Sequence, residues 1–298
     1  MIDYIKAYFE DKEAVFSHIS NTYGMNSNIY ERYCKKRNQM VHYNTYFKDV
    51  YNLYFKITNE KGFVENSLHS LYNRMNGSEI SRNDNDFSYR DLLKTLDFLK
   101  NYTDYPLEKI NLSQGLEFGF NLQVPFDVDN FIVNDCVFYG YKTHAELENT
   151  ETKTFKTLKK GYYKLKIYNK GKQFNLSFPT LRIELRFLDK RGFNNLGIYT
   201  LHDLSDQENL KKIYDLMYDE IKNHLLIVDN IEVRGFSDFK NKKLYRYTSS
   251  KFWQELPRIK TKIEKQKFYK MLEKNNLLTN KKMLLSLMES KFYQLINN

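Results

Sequence analysis

Hydrophobic and polar residues alternate most cleanly between Gly161 and Phe187, GYYKLKIYNKGKQFNLSFPTLRIELRF. Tyr163, Leu165 and Ile167 alternate with Lys164, Lys166 and Tyr168, while Leu181, Ile183, Leu185 and Phe187 alternate with Arg182, Glu184 and Arg186. Successive side chains point to opposite faces of a strand, so the spacing predicts two strands, each with an apolar and a charged face. Paired over a common core, their outward faces merge into a surface of Lys164, Lys166, Tyr168, Lys170, Arg182, Glu184 and Arg186. An ordinary antiparallel sheet with one solvated face has the same pattern. A tyrosine among fixed cations beside a carboxylate also suits phosphoryl transfer.

The rest of the chain reads as α+β, an antiparallel sheet core with packed helices. Tyr51 to Ile57 alternates as a strand; TNEKG follows as a turn, and FVENSLHSLYN completes a hairpin. Asn76 to Asp86 is a polar loop, followed by Leu92, Leu93, Leu96 and Leu99 at helical spacing, with Asp86 or Ser88 as the cap. Gly115 to Leu122 is a two-faced strand with Glu117 on its polar face, and Phe131 to Phe138 reads as another. The polar stretch from Tyr139 to Gly161 reads as a loop or an irregular hairpin tip, and DKRGFNNLG after Phe187 as a turn. Ser205 or Asp206 caps a helix with Leu210, Ile213, Met217 and Ile221 on one face, and IVDNIEVRGF holds one further strand. From Phe252 the spacing is helical: Ile259, Ile263, Tyr269 and Leu272, then Thr279 as a cap before Met283, Leu284, Leu287 and Leu295. The short join EKNNLLTN makes these a helical hairpin.

Charge changes this picture. The net charge is +10 over 298 residues; from Lys240 onward fifteen Lys and Arg stand against four acids, +11, which leaves −1 for the first 239. A basic end on a near-neutral body points to a polyanion, and to nucleic acid first. Lys260, Lys262, Lys265, Lys267, Lys270 and Lys274 are the candidate phosphate contacts. The predicted division is therefore residues 1–239 as the body and 240–298 as a basic helical region. A chain with 41% hydrophobic residues is globular rather than disordered. Cys34 and Cys136 are too few for a disulfide framework and lack metal spacing, so a reducing cytoplasm is expected. MIDYIKAYFEDKEAVF has acids and aromatics where a signal peptide has an apolar core, and no apolar run reaches membrane-spanning length. His69, His42 and His202 are lone histidines whose spacing implies no site.

The order of these pieces resembles the replication initiators of the filamentous-phage gene II / gene X family, within the wider group of rolling-circle plasmid initiators. LKIYNKGKQF, then LRIELRF, then LGIYTLHDL follow that family's sequence of a hydrophobic residue with a tyrosine, a lysine two places on, an Arg-hydrophobic-Glu-hydrophobic-Arg strand and a leucine-rich helix start. Here these are Ile167, Tyr168 and Lys170; Arg182, Glu184 and Arg186; and Leu201 and Leu204. NSLHSLYN with NDFSYRDLL, and GLEFGFN, resemble its upstream pieces, so the likeness runs over roughly residues 50 to 210. It implies a Rep/relaxase-like endonuclease fold and an enzyme that nicks one strand at a replication origin and stays attached to it. Tyr168 matches the nucleophile, with Lys166, Lys170 and Arg186 as its cationic surroundings. Glu184, Glu117 and His69 match polar positions near that site and are the expected ligands of Mg²⁺ or Mn²⁺. The His-hydrophobic-His triplet that holds metal in many rolling-circle initiators and relaxases is absent.

A phenol has a reference pKa of about 10, so nearby cations would favour its ionised form. Attack on a phosphodiester would leave a 5′-phosphotyrosine and a free 3′-OH to prime a host polymerase, with a host helicase as a further partner and a bacterial cytoplasm as the setting. Two other readings stay open on the residues: a metal-dependent nuclease that uses water, and a DNA-binding regulator without chemistry.

Overall fold

The computed structural model describes residues 1–34, 38–140, 142–143, 146–229 and 235–298. The chain forms two compact units, one of residues 1–119, 186–213 and 294–298, the other of residues 120–185 and 214–293. The architecture is α+β, with antiparallel pairing and packed helices.

The first unit is built on a six-stranded sheet. Its strands are β1 (Tyr4–Phe9), β2 (Asn26–Cys34), β3 (Gln39–Val50), β4 (Leu53–Thr58), β5 (Gly62–Ser67) and β6 (Ile110–Leu112), in the order β2-β3-β4-β5-β1-β6. Tyr54 stands opposite Glu65 and Phe55 opposite Val64, which is the predicted hairpin. Alternation does what the pattern requires: Ile5, Ala7 and Phe9 of β1, and Leu53, Phe55 and Ile57 of β4, are all buried. Helices α1 (Lys12–Tyr23) and α3 (Tyr89–Thr103) bury Val15, Ile19, Leu92, Leu96 and Leu99. Ser88 and Asp91 form a capping box at the start of α3. The leucine stripe is narrower than expected: Leu93 is exposed, and Thr95 takes the buried place because its hydroxyl donates to the Asp91 carbonyl. FVENSLHSLYN is not one strand. Asn66 has φ of +133°, Ser67 turns its hydroxyl onto the Ser70 N–H, and helix α2 (Leu68–Met75) begins there with His69 on it.

In the second unit the strands are β7 (Glu117–Gln123), β8 (Cys136–Tyr139), β9 (Lys142–Thr143), β10 (Glu146–Asn149), β11 (Thr154–Lys160), β12 (Tyr163–Asn169), β13 (Thr180–Phe187) and β14 (Leu225–Ile227). One sheet has the order β10-β11-β12-β13-β7, the other β14-β8-β9. The unit boundaries fall inside β7 and β13, before Phe120 and after Leu185. One expectation is corrected here and another is refined. Phe131–Asp135 is a helical turn, entered through the Asp127 side chain, and the strand begins only at Cys136. The polar stretch before Tyr163 is the hairpin alternative and not a loop, β10 pairing antiparallel with β11, and β11 continuing into the sheet beside β12. Lysines disguised β11: Lys156 is buried, and its ammonium donates to the carbonyls of Val133 and Cys136, both at 2.9 Å. Of the further strand expected in IVDNIEVRGF, Ile227 ends β14, and residues 230–234 lie outside the described residues.

The basic C-terminal segment is folded into this unit. Leu244, Tyr247, Trp253, Phe268, Leu272 and Leu277 share a core with Phe138, Leu226 and Val228. The predicted hairpin is present as helices Arg258–Lys274 and Thr279–Ile296. Asp229 caps the second, accepting from the Thr279 and Asn280 N–H groups at 2.9 and 2.8 Å. No helix among the described residues is long and apolar enough to cross a membrane.

Asp135 lies beside that cap, and burial first, then the charge of Asp229, pushes its carboxyl from 3.8 up to about 7, against an Asn280 hydrogen bond and the charge of Lys156. A carboxyl raised in the folded state favours folding fully below its unfolded value, and this contribution is lost as pH rises to the folded value. Asp135→Asn should therefore gain thermal midpoint relative to the parent chain as pH rises from about 4 to about 7. Calorimetry across that range checks it; a constant difference would place the Asp135 titration elsewhere.

Candidate active site

Both faces of β13 are buried as far as Leu185, and Arg186 beyond it is part-exposed. Leu181, Ile183 and Leu185 are fully buried on one side, and Arg182 and Glu184 are 2% and 4% exposed on the other. The expected outward charged surface is thus interior at Arg182, Glu184 and Lys170, while Lys164, Lys166, Tyr168 and Arg186 stay partly exposed; buried charges need partners. Arg182 Nε donates to Glu184 Oε2 at 3.1 Å, and its Nη1 donates to Asn121 Oδ1 on β7 at 3.0 Å. The Tyr168 hydroxyl, on β12, donates to the same Glu184 oxygen at 3.3 Å. The result is a hydrogen-bonded row of Asn121, Arg182, Glu184 and Tyr168 that holds the phenol oxygen against a carboxylate.

Cations surround that phenol. The Lys166 ammonium is 4.8 Å from the centre of the Tyr168 ring, and that of Lys170 is 5.4 Å away. Lys170 is itself buried, 4.5 Å from the Phe174 ring centre. It opens the helix Lys170–Phe174, which Asn169 caps by accepting from the Lys172 N–H at 2.8 Å. Gly171 lets this helix sit close to the chain: a Cβ there would stand 3.1 Å from the Phe178 carbonyl oxygen and 3.2 Å from the Thr180 nitrogen. Tyr168 faces a cleft of about 160 Å³ lined by Lys153, Phe155, Lys166, Asn169 and Gln173 among others.

The remaining candidates fall into groups of the first unit. Arg186 Nη1 donates to Glu117 Oε1 at 2.7 Å, and its guanidinium lies 5.2 Å from the Tyr4 ring centre. Glu117 has a neighbour that the sequence did not point to: carboxylate oxygens of Asp3 and Glu117 approach within 4.8 Å. Asp3 is 3% exposed and accepts from Ser67 and Asn83. No spacing could reveal that pair, because 114 residues separate its members. His69 is buried and stacked on Phe87 at 4.9 Å. Its Nε2 lies 2.7 Å from Asn85 Oδ1, which also accepts from Asn73. An acceptor there makes Nε2 the protonated nitrogen, so that nitrogen offers a metal no lone pair.

A second acidic group, Asp219, Glu220 and His224, is also close enough for a metal. Glu220 is the centre of a structural network: it accepts from Lys160 at 2.5 Å, from Tyr163 at 2.6 Å and from Tyr139.

Of the six lysines assigned to DNA, Lys260, Lys262, Lys267, Lys270 and Lys274 are exposed. Lys265 differs. Its ammonium is buried 4.2 Å from the Phe138 ring centre, and burial lowers it to about 8. Ile259 and Ile263, expected on the apolar side of this helix, are exposed, and Phe268 and Leu272 carry its core contact.

One signal near Tyr168 was legible but missed. Residues 152–183 contain nine Lys and Arg and no Asp or Glu. The structure neutralises part of this run: Lys159 on Glu146, Lys160 on Glu220, Lys172 on Asp129 and Arg182 on Glu184.

No family model and no curated protein matches the chain. Among solved structures it is similar to a rolling circle replication initiator protein from Geobacillus stearothermophilus, at 11% identity and a TM-score of 0.40, over 83% of this chain and 96% of that one.

Gly171→Ala should cost about 1–3 kcal/mol, the usual penalty of overpacking, because both close atoms are backbone. Urea denaturation measures it; an unchanged midpoint would show that the Lys170 helix is free to shift.

Proposed function

We propose that the chain is a phage or plasmid replication initiator that nicks one DNA strand at its origin, with Tyr168 as nucleophile. The observation that supports this reading best is the Tyr168 hydroxyl on buried Glu184, flanked by Lys166 and Lys170, at the edge of a cleft. Glu184 accepts the phenolic proton as the Tyr168 oxygen attacks phosphorus. A new P–O bond joins tyrosine to the 5′ side, the bond to O3′ breaks, the 3′ oxygen takes a proton from water and leaves as a free hydroxyl, and Glu184 returns its proton to solvent. Lys166 and Lys170 stabilise the charge that builds on the phosphate oxygens. The covalent link conserves one phosphodiester bond, so a later attack by a 3′-OH on the phosphotyrosine can rejoin the strand.

Mg²⁺ or Mn²⁺ is the cofactor of this reading, and hard cations prefer carboxylate oxygens. Asp3 and Glu117 offer that donor set, and His69 is the weaker candidate because Nε2 is already engaged. Such an ion withdraws charge from a phosphate bound to it. The exposed lysines of the helix Arg258–Lys274 hold duplex origin DNA through its phosphates. A host polymerase and helicase act after the nick, in the bacterial cytoplasm.

Tyr168→Phe should abolish nicking and leave DNA binding within about twofold, since only the nucleophilic oxygen is lost. Denaturing electrophoresis with labelled strands of its own replicon's origin, in Mg²⁺ or Mn²⁺, checks this. A protein–DNA band that survives denaturant and vanishes in the variant carries the proposal. Cleavage without such a band indicates attack by water, and binding without cleavage indicates a regulator.

Replacing Lys260, Lys267, Lys270 and Lys274 by glutamine should reduce the salt slope of duplex binding by up to about 3 to 4 units, near one per phosphate contact. An unaltered slope moves the duplex surface to another part of the molecule.

A further inference from the structure

Phe155 is the residue beside Tyr168 that the proposed chemistry does not use. It stands directly opposite Tyr168 in the β11–β12 register, so both rings project from the same face of the sheet. The Lys166 ammonium lies close to both, 5.6 Å from the Phe155 ring centre and 4.8 Å from that of Tyr168. Phe155 is half-buried and lines the cleft. Asn169 and Lys172 are already committed here: Asn169 Nδ2 donates to Asp129 at 2.7 Å, and Lys172 donates to Asp129 at 2.8 Å and Thr154 at 3.1 Å. Beside the Tyr168 ring, what the cleft offers a ligand is therefore the Phe155 ring, the amine of Lys166, and the exposed Lys153 and Gln173 at its edge. It does so within the 32-residue run that has nine cations and no acid.

A flat apolar ring with cations beside it and an amide at the rim matches one nucleotide: base on the ring, phosphate on the amines, base edge on the amide. We infer that this cleft is a subsite for one unstacked nucleotide of single-stranded DNA, its base stacked on Phe155 and its phosphate on Lys166 and Lys153. This subsite deepens the nicking reading and rests on it for the identity of the strand. It holds the nucleotide next to the scissile phosphate out of the stack.

The test is fluorescence anisotropy with the full chain carrying Tyr168→Phe, so that no cleavage disturbs the measurement. Two labelled probes of roughly 12 nucleotides, a thymidine strand and an abasic strand with the same phosphates, separate base from backbone binding. Phe155→Leu keeps an apolar side chain in the sheet and removes the ring. It should weaken binding of the thymidine strand by about 5- to 150-fold, the range of one lost stacking contact, and leave the abasic strand and the salt slope unchanged. Equal weakening of both probes, or of neither, overturns the subsite. Phe155→Tyr, which restores a ring, should restore affinity; failure to do so also overturns it. The two proposals fail separately. A subsite that fails while nicking still requires Tyr168 leaves the catalytic reading in place. Nicking that survives Tyr168→Phe ends the catalytic reading, while the loss of base binding in Phe155→Leu would still stand.

Discussion

A carboxylate buried beside an arginine governs the second unit. Glu184 and Arg182 sit two residues apart on β13, which has β12 on one side and β7 on the other. Removing one member of such a pair leaves an uncompensated charge and typically costs about 3–5 kcal/mol. The pair is satisfied from both sides, by Asn121 across β7 and by Tyr168 across β12. The phenol oxygen is thereby directed by the same contacts that let the strand be buried. Tyr168 is one of 25 tyrosines; Tyr139 and Tyr163 also donate to a buried carboxylate, Glu220, and Tyr168 differs from those two in lining the cleft.

The lysines around it show how one residue type serves different ends. Lys156 is structural, with its ammonium on two carbonyl oxygens, and burial lowers its pKa. Lys160 joins Tyr139 and Tyr163 on Glu220, whose carboxyl is held below the usual range by those three hydrogen bonds against the opposing effect of burial. Lys172 secures Asp129 beside the cap of the Lys170 helix. Lys166 lies on aromatic rings instead, a placement that keeps a positive charge available to an anion. Net charge describes none of these differences. The same holds in the C-terminal helices, where Lys265 rests on Phe138 and Lys260 is exposed only five residues away.

Sequence alone determined the elements whose side chains obey one period. Alternation located β4, β7, β12 and β13, a turn signal after β4 located the hairpin with β5, and helical spacing with a Ser88 or Thr279 start located α3 and the last helix, because local backbone geometry imposes those periods. It also singled out Tyr168, Glu184 and their lysines as one surface, since residues of one parity on paired strands must share a face. It misread β11, whose lysine is buried by carbonyl oxygens of another segment. It misplaced His69, because the strand ends at Ser67, whose side chain caps helix α2 from Leu68, and it included Leu93 in a core that took Thr95 instead. Tertiary structure alone decided that Arg182 and Glu184 of the charged face are interior, that Asp3 stands beside Glu117, and that Phe155 faces Tyr168. Each depends on contacts between residues far apart in the chain, and periodicity, which reports one element at a time, carries no information about which elements meet.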